Sequence, residues 1–201
     1  VVAEPMSSLT ILDEETGTEN NPSFASSFVE VFVQENSEVT YMFLQNENQQ
    51  TQVHIQKKAQ VAKDGRMNWI EAYFGSSYTR STVTATLEEE GAAATNTTIF
   101  FADKNQKFDI MSRTIQRGRH TFADMNAIGV VTDKSSAMCR GLIKIAQPSF
   151  GSSGHQKIKT LLEENKRLID EVQQRLGNLA GGAPAPLLEQ QFVIPFSHSH
   201  L

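Results

Sequence analysis

The chain has 201 residues, of which 39% are hydrophobic and 20% charged, and its formal net charge is −5. These values are ordinary for a globular protein, and the length suits one domain or one domain with a small appendage. The sequence has no run of 18 apolar residues and no charged-then-apolar start. We therefore expect no transmembrane helix, no signal peptide and no membrane partner.

Charge is distributed unevenly along the chain. Residues 1–50 hold nine acidic side chains and no Lys or Arg, whereas residues 66–147 hold ten basic and eight acidic side chains. A nucleic-acid-binding protein would present a basic face, so we expect no nucleic-acid partner. The single cysteine, Cys139, allows no internal disulfide, which favours a reducing compartment and predicts a cytoplasmic protein.

In chain order, residues 1–23 are rich in acids and poor in apolar residues, which predicts an acidic extended lead-in. From residue 24 onward the pattern becomes strand-like, and residues 24–150 are predicted to form the core. Short segments rich in β-branched and aromatic residues are separated by polar or Gly-containing turns. The predicted strands are 28–33, 39–44, 52–56, 67–74, 81–87, 97–102, 108–115, 127–131 and 138–145.

No helical apolar stripe interrupts these strands, so the core is predicted to be all-β. A β-sandwich and a β-helix both suit such segments. Asn-Gly and Asp-Gly turns, which close the tight hairpins of a sandwich, are rare here, since only Asp64-Gly65 occurs. In a β-helix, each strand pairs with the equivalent strand one coil repeat later. The loops that connect successive strands can therefore be longer and irregular. We therefore favour a parallel β-helix, with a sandwich as the alternative.

Residues 69–147 contain an ordered set of motifs: Gly75 with Thr79-Arg80, Leu-Glu-Glu-Glu-Gly-Ala at 87–92, the pair Gln106 and Asp109, His120, Gly-Val-Val-x-Asp at 129–133, and Arg-Gly-Leu-Ile-Lys-Ile-Ala-Gln at 140–147. This set resembles the core of the SufB/SufD family, the scaffold subunits of the Suf iron–sulfur assembly system. The resemblance implies a right-handed parallel β-helix.

Two features of the core have both a functional and a structural interpretation. Residues 112–120 contain three arginines and His120, a composition that binds anions but more often forms a solvated turn. A histidine near this place is also part of the family resemblance. Cys139 interrupts an apolar strand, and we interpret it as a core residue, with cluster ligation as the alternative.

Residues 151–180 are predicted to form an amphipathic helix. Apolar residues at 158, 162, 169, 172 and 176 recur at heptad-like spacing, and Gly177-Asn178 supplies a stop. The resemblance would instead continue with β-strands, so the helix departs from the family pattern. The helix would pack within the chain or pair with a second copy.

Residues 181–201 are predicted to form a linker followed by a terminal strand with a Ser-His motif. The segment around Pro186-Leu187 and Ser197-His198 resembles a family segment, and the resemblance implies that His198 takes part in cluster assembly. His198 and His200 would face the same side of an extended strand, so both could reach one metal. A frayed, exposed terminus is the alternative.

The sequence has no phosphate-binding loop, nucleophile elbow or Cys-x-x-Cys motif, so we expect no enzymatic activity. The resemblance implies a SufD-like scaffold that handles a transient iron–sulfur cluster with a SufB-like partner and a SufC-type ATPase. It also places the family's ATPase-docking domain C-terminal to the Ser-His segment. No cysteine follows Gln147, which makes a SufB role the weaker match.

Two other classes remain open from the sequence alone. Some β-helix proteins cleave polysaccharides with clustered carboxylates on one face of the coil, but the acids of this core are dispersed. A purely structural module that forms a homodimer through its helix is the other alternative.

Overall fold

The computed structural model describes residues 1–17 and 21–162. Within these ranges the chain forms twelve β-strands and no helix. The strands are β1 Val2–Ala3, β2 Ser8–Thr16, β3 Ser23–Val33, β4 Glu38–Asn46, β5 Thr51–Val61, β6 Arg66–Tyr73, β7 Tyr78–Leu87, β8 Ala93–Ala102, β9 Lys107–Gln116, β10 Phe122–Val131, β11 Ser136–Ile145 and β12 Ser153–Leu162.

The strands form two six-stranded parallel sheets, and successive strands alternate between them. Sheet A has the order β1-β3-β5-β7-β9-β11, and sheet B has the order β12-β10-β8-β6-β4-β2. Paired residues lie between 26 and 31 positions apart, as with Gln52 opposite Tyr78 and Phe122 opposite Ser153. Each turn of the coil therefore adds one strand to each sheet, and the predicted parallel β-helix is confirmed.

The core lies inside the coil, between the two sheets. Successive residues of a strand face opposite sides, so every second side chain points inward. On β6 these are Met67, Trp69 and Tyr73 together with one acid, and all are fully buried. Tyr41 of β4 packs against Trp69 with ring centroids 5.3 Å apart, and Phe43 packs against Tyr73 at 6.0 Å. The aromatic side chains fill the interior across neighbouring turns.

The turns that lead from sheet A to sheet B stack on one another and share a backbone conformation. Each contains a residue with φ between 54° and 74°: Met6, Asn36, Asp64, Gly91, His120 and Gly151. The N–H of such a residue donates to a carbonyl of the next turn, as from Asn36 to Lys63 at 3.0 Å and from Asp64 to Glu90 at 2.9 Å. These bonds continue the pairing of the sheets around the corner of the coil.

The predicted lead-in over 1–23 is wrong for most of that segment, because the coil already begins there. β1 pairs with β3, and β2 pairs with β4 over nine residues. The acidic composition concealed an alternation in which Leu9, Ile11, Asp13 and Glu15 are the more buried positions of β2.

The helix predicted within 151–180 does not begin where the heptad-like spacing placed it. Residues 153–162 form β12, which pairs with β10 over ten residues. A strand at this place continues the backbone hydrogen bonds of sheet B, and this gain outweighs the weak intrinsic preference for a helix. Residues 163–201, with the rest of the predicted helix, the linker and the Ser-His segment, lie outside the described residues.

Among the described residues, no helix is long and apolar enough to span a membrane.

Candidate functional site

The two predicted ligands, His198 and His200, lie outside the described residues. Within residues 1–17 and 21–162, no three His, Cys, Asp or Glu side chains are grouped so that they could hold a metal ion. The assignment of a ligand site to the Ser-His segment therefore stays a prediction.

A buried ion pair lies inside the coil between β5 and β6. Nζ of Lys57 is 3.3 Å and 3.4 Å from the two carboxylate oxygens of Glu71, and both side chains are fully buried. The ammonium group also lies 3.1 Å from the ring centroid of Phe43. Burial lowers the pKa of Lys57, and the nearby carboxylate of Glu71 opposes this shift. Each charge therefore depends on the other for its stability in the nonpolar interior.

A tyrosine supplies a second partner for this buried carboxylate. The hydroxyl of Tyr73 donates to Oε2 of Glu71, and it lies 2.7 Å from Oγ of Ser81 on β7. Burial and the neighbouring carboxylate raise the pKa of Tyr73 well above its usual range. The hydroxyl therefore keeps its proton at neutral pH and remains a donor to Glu71.

Further polar side chains lie inside the coil on its first strands, β2 and β4. The hydroxyl of Tyr41 donates to Oδ2 of Asp13 at 2.6 Å, and burial and this carboxylate raise the pKa of Tyr41. Burial also raises the pKa of Glu15, two residues further along β2. Asp13, Phe43 and Glu71 are register neighbours across β2, β4 and β6. The acids therefore share the interior of the first turns.

We call these residues the interior polar cluster: Asp13, Tyr41, Lys57, Glu71, Tyr73 and Ser81. Lys57 pairs with Glu71, and Asp13 accepts a hydrogen bond from Tyr41. These contacts fix how strands of the two sheets face each other. The sequence interpretation did not single out the cluster. A signal for it was present, because Lys57 falls at an inward position in the alternation Val53, Ile55, Ala59 and Val61 on β5.

Cys139 lies on β11 and packs against the core, as predicted. Burial raises the pKa of its thiol to about 11, so the thiol stays protonated at neutral pH. It lines a cavity of about 10 Å³ together with Asn96, Ser112 and Gln156. This volume is about that of one water-sized probe, so the cavity does not accommodate a cluster.

The Gln106 and Asp109 pair, which carried part of the family resemblance, is structural in the described chain. The amide of Gln106 donates to the carbonyl oxygens of Phe74 at 3.1 Å and Ser76 at 2.9 Å, which joins two stacked turns. Asp109 accepts a hydrogen bond from Arg140 and lies 3.9 Å from Nε of Arg80. Both residues connect neighbouring turns of the coil.

The arginine-rich run forms the end of β9 and the following turn. Arg117 donates from Nη1 to both carboxylate oxygens of Glu88, at 2.8 Å and 3.0 Å. His120 is exposed, with Nε2 4.0 Å from Glu90, and its ring lies against Gly151, where a Cβ would approach within 2.3 Å. The contacts of Arg117 and His120 favour a charged turn over an anion site.

Comparison with known proteins places this fold in a functional context. A family model described as "SUF system FeS cluster assembly, SufBD core domain" matches residues 1–172. A protein of Staphylococcus saprophyticus named as an iron-sulfur cluster assembly SufBD family protein is 25% identical over 150 residues, which cover 75% of this chain and 32% of that protein.

Similarly named proteins of Staphylococcus epidermidis and Staphylococcus aureus are each 24% identical over 150 residues, with the same coverage of 75% and 32%. The chain therefore matches about a third of the length of these curated relatives.

Proposed function

Because the chain belongs to the SUF-system family of iron–sulfur cluster assembly defined by the SufBD core domain, we propose that it is a scaffold subunit in the assembly of iron–sulfur clusters. The observation that carries the proposal is the match over residues 1–172, since it covers every described strand of the coil. The paired charges and stacked turns support a structural role, in which the coil holds partners. We assign it no reaction of its own.

Within this family the proposal favours a SufD-like role. The chain has no cysteine after Gln147, and its Ser-His segment offers imidazole groups, which are common ligands of iron. His198 is the proposed ligand of the nascent cluster, and His200 is its candidate neighbour. The cluster is cargo that binds transiently. We propose the cytoplasm as the site of this work, with a SufB-like subunit and a SufC-type ATPase as partners.

Anaerobic reconstitution of the full chain with ferrous iron and sulfide tests the cluster site. We expect a visible absorption band that His198→Ala abolishes and His200→Ala weakens. The matched control is His54→Ala, because His54 is an exposed histidine on the outer face of β5 with no expected role. A chain that gives no band contradicts cluster binding, and a band that His198→Ala leaves unchanged contradicts the ligand assignment.

A further inference from the structure

The outer face of sheet A carries an excess of positive charge, although the chain as a whole has a net charge of −5. Along each strand of this sheet, every second side chain points away from the interior. These outward positions hold six basic and two acidic residues: Lys58, Arg80, Lys107, Arg113, Arg140 and Lys144, with Glu30 and Asp109. The outward positions of sheet B hold three of each sign, so the basic excess belongs to one side of the coil.

Four of the six cations have no acidic partner. Asp109 accounts for the other two, because it accepts a hydrogen bond from Arg140 and lies 3.9 Å from Nε of Arg80. The cations that form no ion pair with any described residue are Lys58, Lys107, Arg113 and Lys144. Each is exposed, so its charge is available to an anionic group from outside.

The parallel register places two of these unpaired cations on either side of a threonine. Lys58 of β5 is the register partner of Thr84 on β7, which in turn is the partner of Arg113 on β9. Because neighbouring strands lie about 4.8 Å apart, the Cα atoms of Lys58 and Arg113 are roughly 10 Å apart. Both side chains are long enough to reach one carboxylate that lies over Thr84.

A groove of about 70 Å³ lies at this place on the face, and its lining includes Lys58, Gln60, Thr84 and Thr86. The side chains of Gln60 and the two threonines form no hydrogen bond with other described residues. An amide N–H and two hydroxyls are therefore available as donors to a carboxylate, beside the two cations.

We propose that the outer face of sheet A binds an acidic segment of a partner protein, with one carboxylate held over Thr84 between Lys58 and Arg113. Exposed apolar side chains lie next to both cations. The ring centroid of Phe28 is 5.2 Å from Nζ of Lys58, and Leu142 is the register partner of Arg113. Phe28 is 55% exposed and Leu142 is 42% exposed, so apolar residues of the same segment can pack on either side of the carboxylate.

The charge distribution favours an acidic protein segment over a nucleic acid. A phosphate backbone extends beyond one face, and it would be repelled by a chain whose net charge is −5. Glu30 and Asp109 also lie within the face and would oppose a continuous row of phosphates. A short acidic segment can contact the unpaired cations alone. A second copy of this chain does not supply the complement with the same face, because that face is basic too.

Fluorescence anisotropy of fluorescein-labelled decaglutamate with the full chain tests this surface. We expect saturable binding that weakens as salt is added, because exposed charges are screened. Lys58→Glu combined with Arg113→Glu should raise Kd by at least about tenfold. The matched control combines Arg66→Glu with Lys157→Glu, since these are an exposed arginine and lysine on the outer face of sheet B and the change in net charge is the same. It should raise Kd by less than about threefold.

Thr84→Val tests the groove without changing any charge. The loss of the hydroxyl should raise Kd about threefold, whereas Thr97→Val, at an exposed position on the outer face of β8, should leave it unchanged. Circular dichroism checks that each variant keeps its β-structure. An oligothymidylate with the same number of charges as the peptide should bind more weakly than the peptide does.

Four results would overturn the proposal. The wild type does not bind decaglutamate, or the two charge-reversal pairs weaken binding equally, which would indicate a response to net charge alone. A tighter complex with the oligothymidylate would assign the face to single-stranded nucleic acid. An unchanged Kd for Thr84→Val would exclude the groove as the place where the carboxylate binds.

Discussion

Replacing Glu71 by glutamine is expected to lower the free energy of unfolding by about 3–5 kcal/mol. The ammonium group of Lys57 would then lose its counter-ion in a site that is fully buried. Lys57→Met should lower the free energy of unfolding by a similar amount, because Tyr73 is then the one donor left to the Glu71 carboxylate among the described residues. The double variant should lose much less free energy of unfolding than the sum of the two single losses, since it removes both charges.

Urea unfolding followed by the fluorescence of Trp69, the only tryptophan, measures these effects. The control is Lys63→Met, because the pair of Lys63 and Glu35 is 3.5 Å long but about half exposed, at 51% and 52%. That variant should cost less than about 1 kcal/mol. Single variants of the buried pair that cost no more than Lys63→Met would contradict the role assigned to the interior polar cluster.

Trp69→Ala is expected to lower the free energy of unfolding by about 3–5 kcal/mol. Trp69 is 1% exposed and packs against Tyr41, so its removal leaves a cavity in the middle of the coil. Trp69→Phe should cost less than about 1.5 kcal/mol, because it keeps an aromatic ring and removes a buried N–H that has no partner among the described residues.

Urea unfolding followed by far-ultraviolet circular dichroism measures both tryptophan variants, since neither retains the fluorophore. The control is Phe24→Ala on the outer face of β3, where the aromatic side chain is 68% exposed. It should change the free energy of unfolding by less than about 1 kcal/mol. If Trp69→Ala cost no more than Phe24→Ala, Trp69 would not belong to the inner packing between β4 and β6.

The strands and their parallel stacking could be predicted from sequence because both leave local signals. Six predicted strands between residues 66 and 147 fall on β6 to β11, and the observed strands mostly extend further toward their N-termini. Those first residues, such as Tyr78, Ala93 and Phe122, lie next to turns, where composition distinguishes strand from loop poorly. The scarcity of tight hairpin turns correctly favoured a coil over a sandwich.

The two ends of the coil were predicted less well, because there the pairing partner decides the structure. Residues 8–16 contain acids that suggested a solvated arm, but β4 offers nine register partners to that segment. Residues 153–162 contain a helical apolar spacing, but β10 offers ten partners. In both segments, long-range pairing outweighs local composition and periodicity.

The interior polar cluster was missed because charged residues are usually assigned to the surface. The alternation of inward and outward residues along β5 and β6 does indicate the cluster. Glu71 follows Met67 and Trp69 in the inward phase of β6, and Lys57 follows Ile55 in the inward phase of β5. Two opposite charges at inward positions of successive strands predict a buried pair. The ligand role of His198 stays a prediction.

Co-expression of this chain with the SufB-like subunit and the SufC-type ATPase of the same genome tests the scaffold assignment most directly. An affinity tag on this chain should retain the SufB-like subunit in defined proportion through size-exclusion chromatography, with the ATPase joining the complex. An unrelated β-helix protein with the same tag serves as the control. Failure of this folded chain to retain the SufB-like subunit would contradict its assignment as an assembly scaffold.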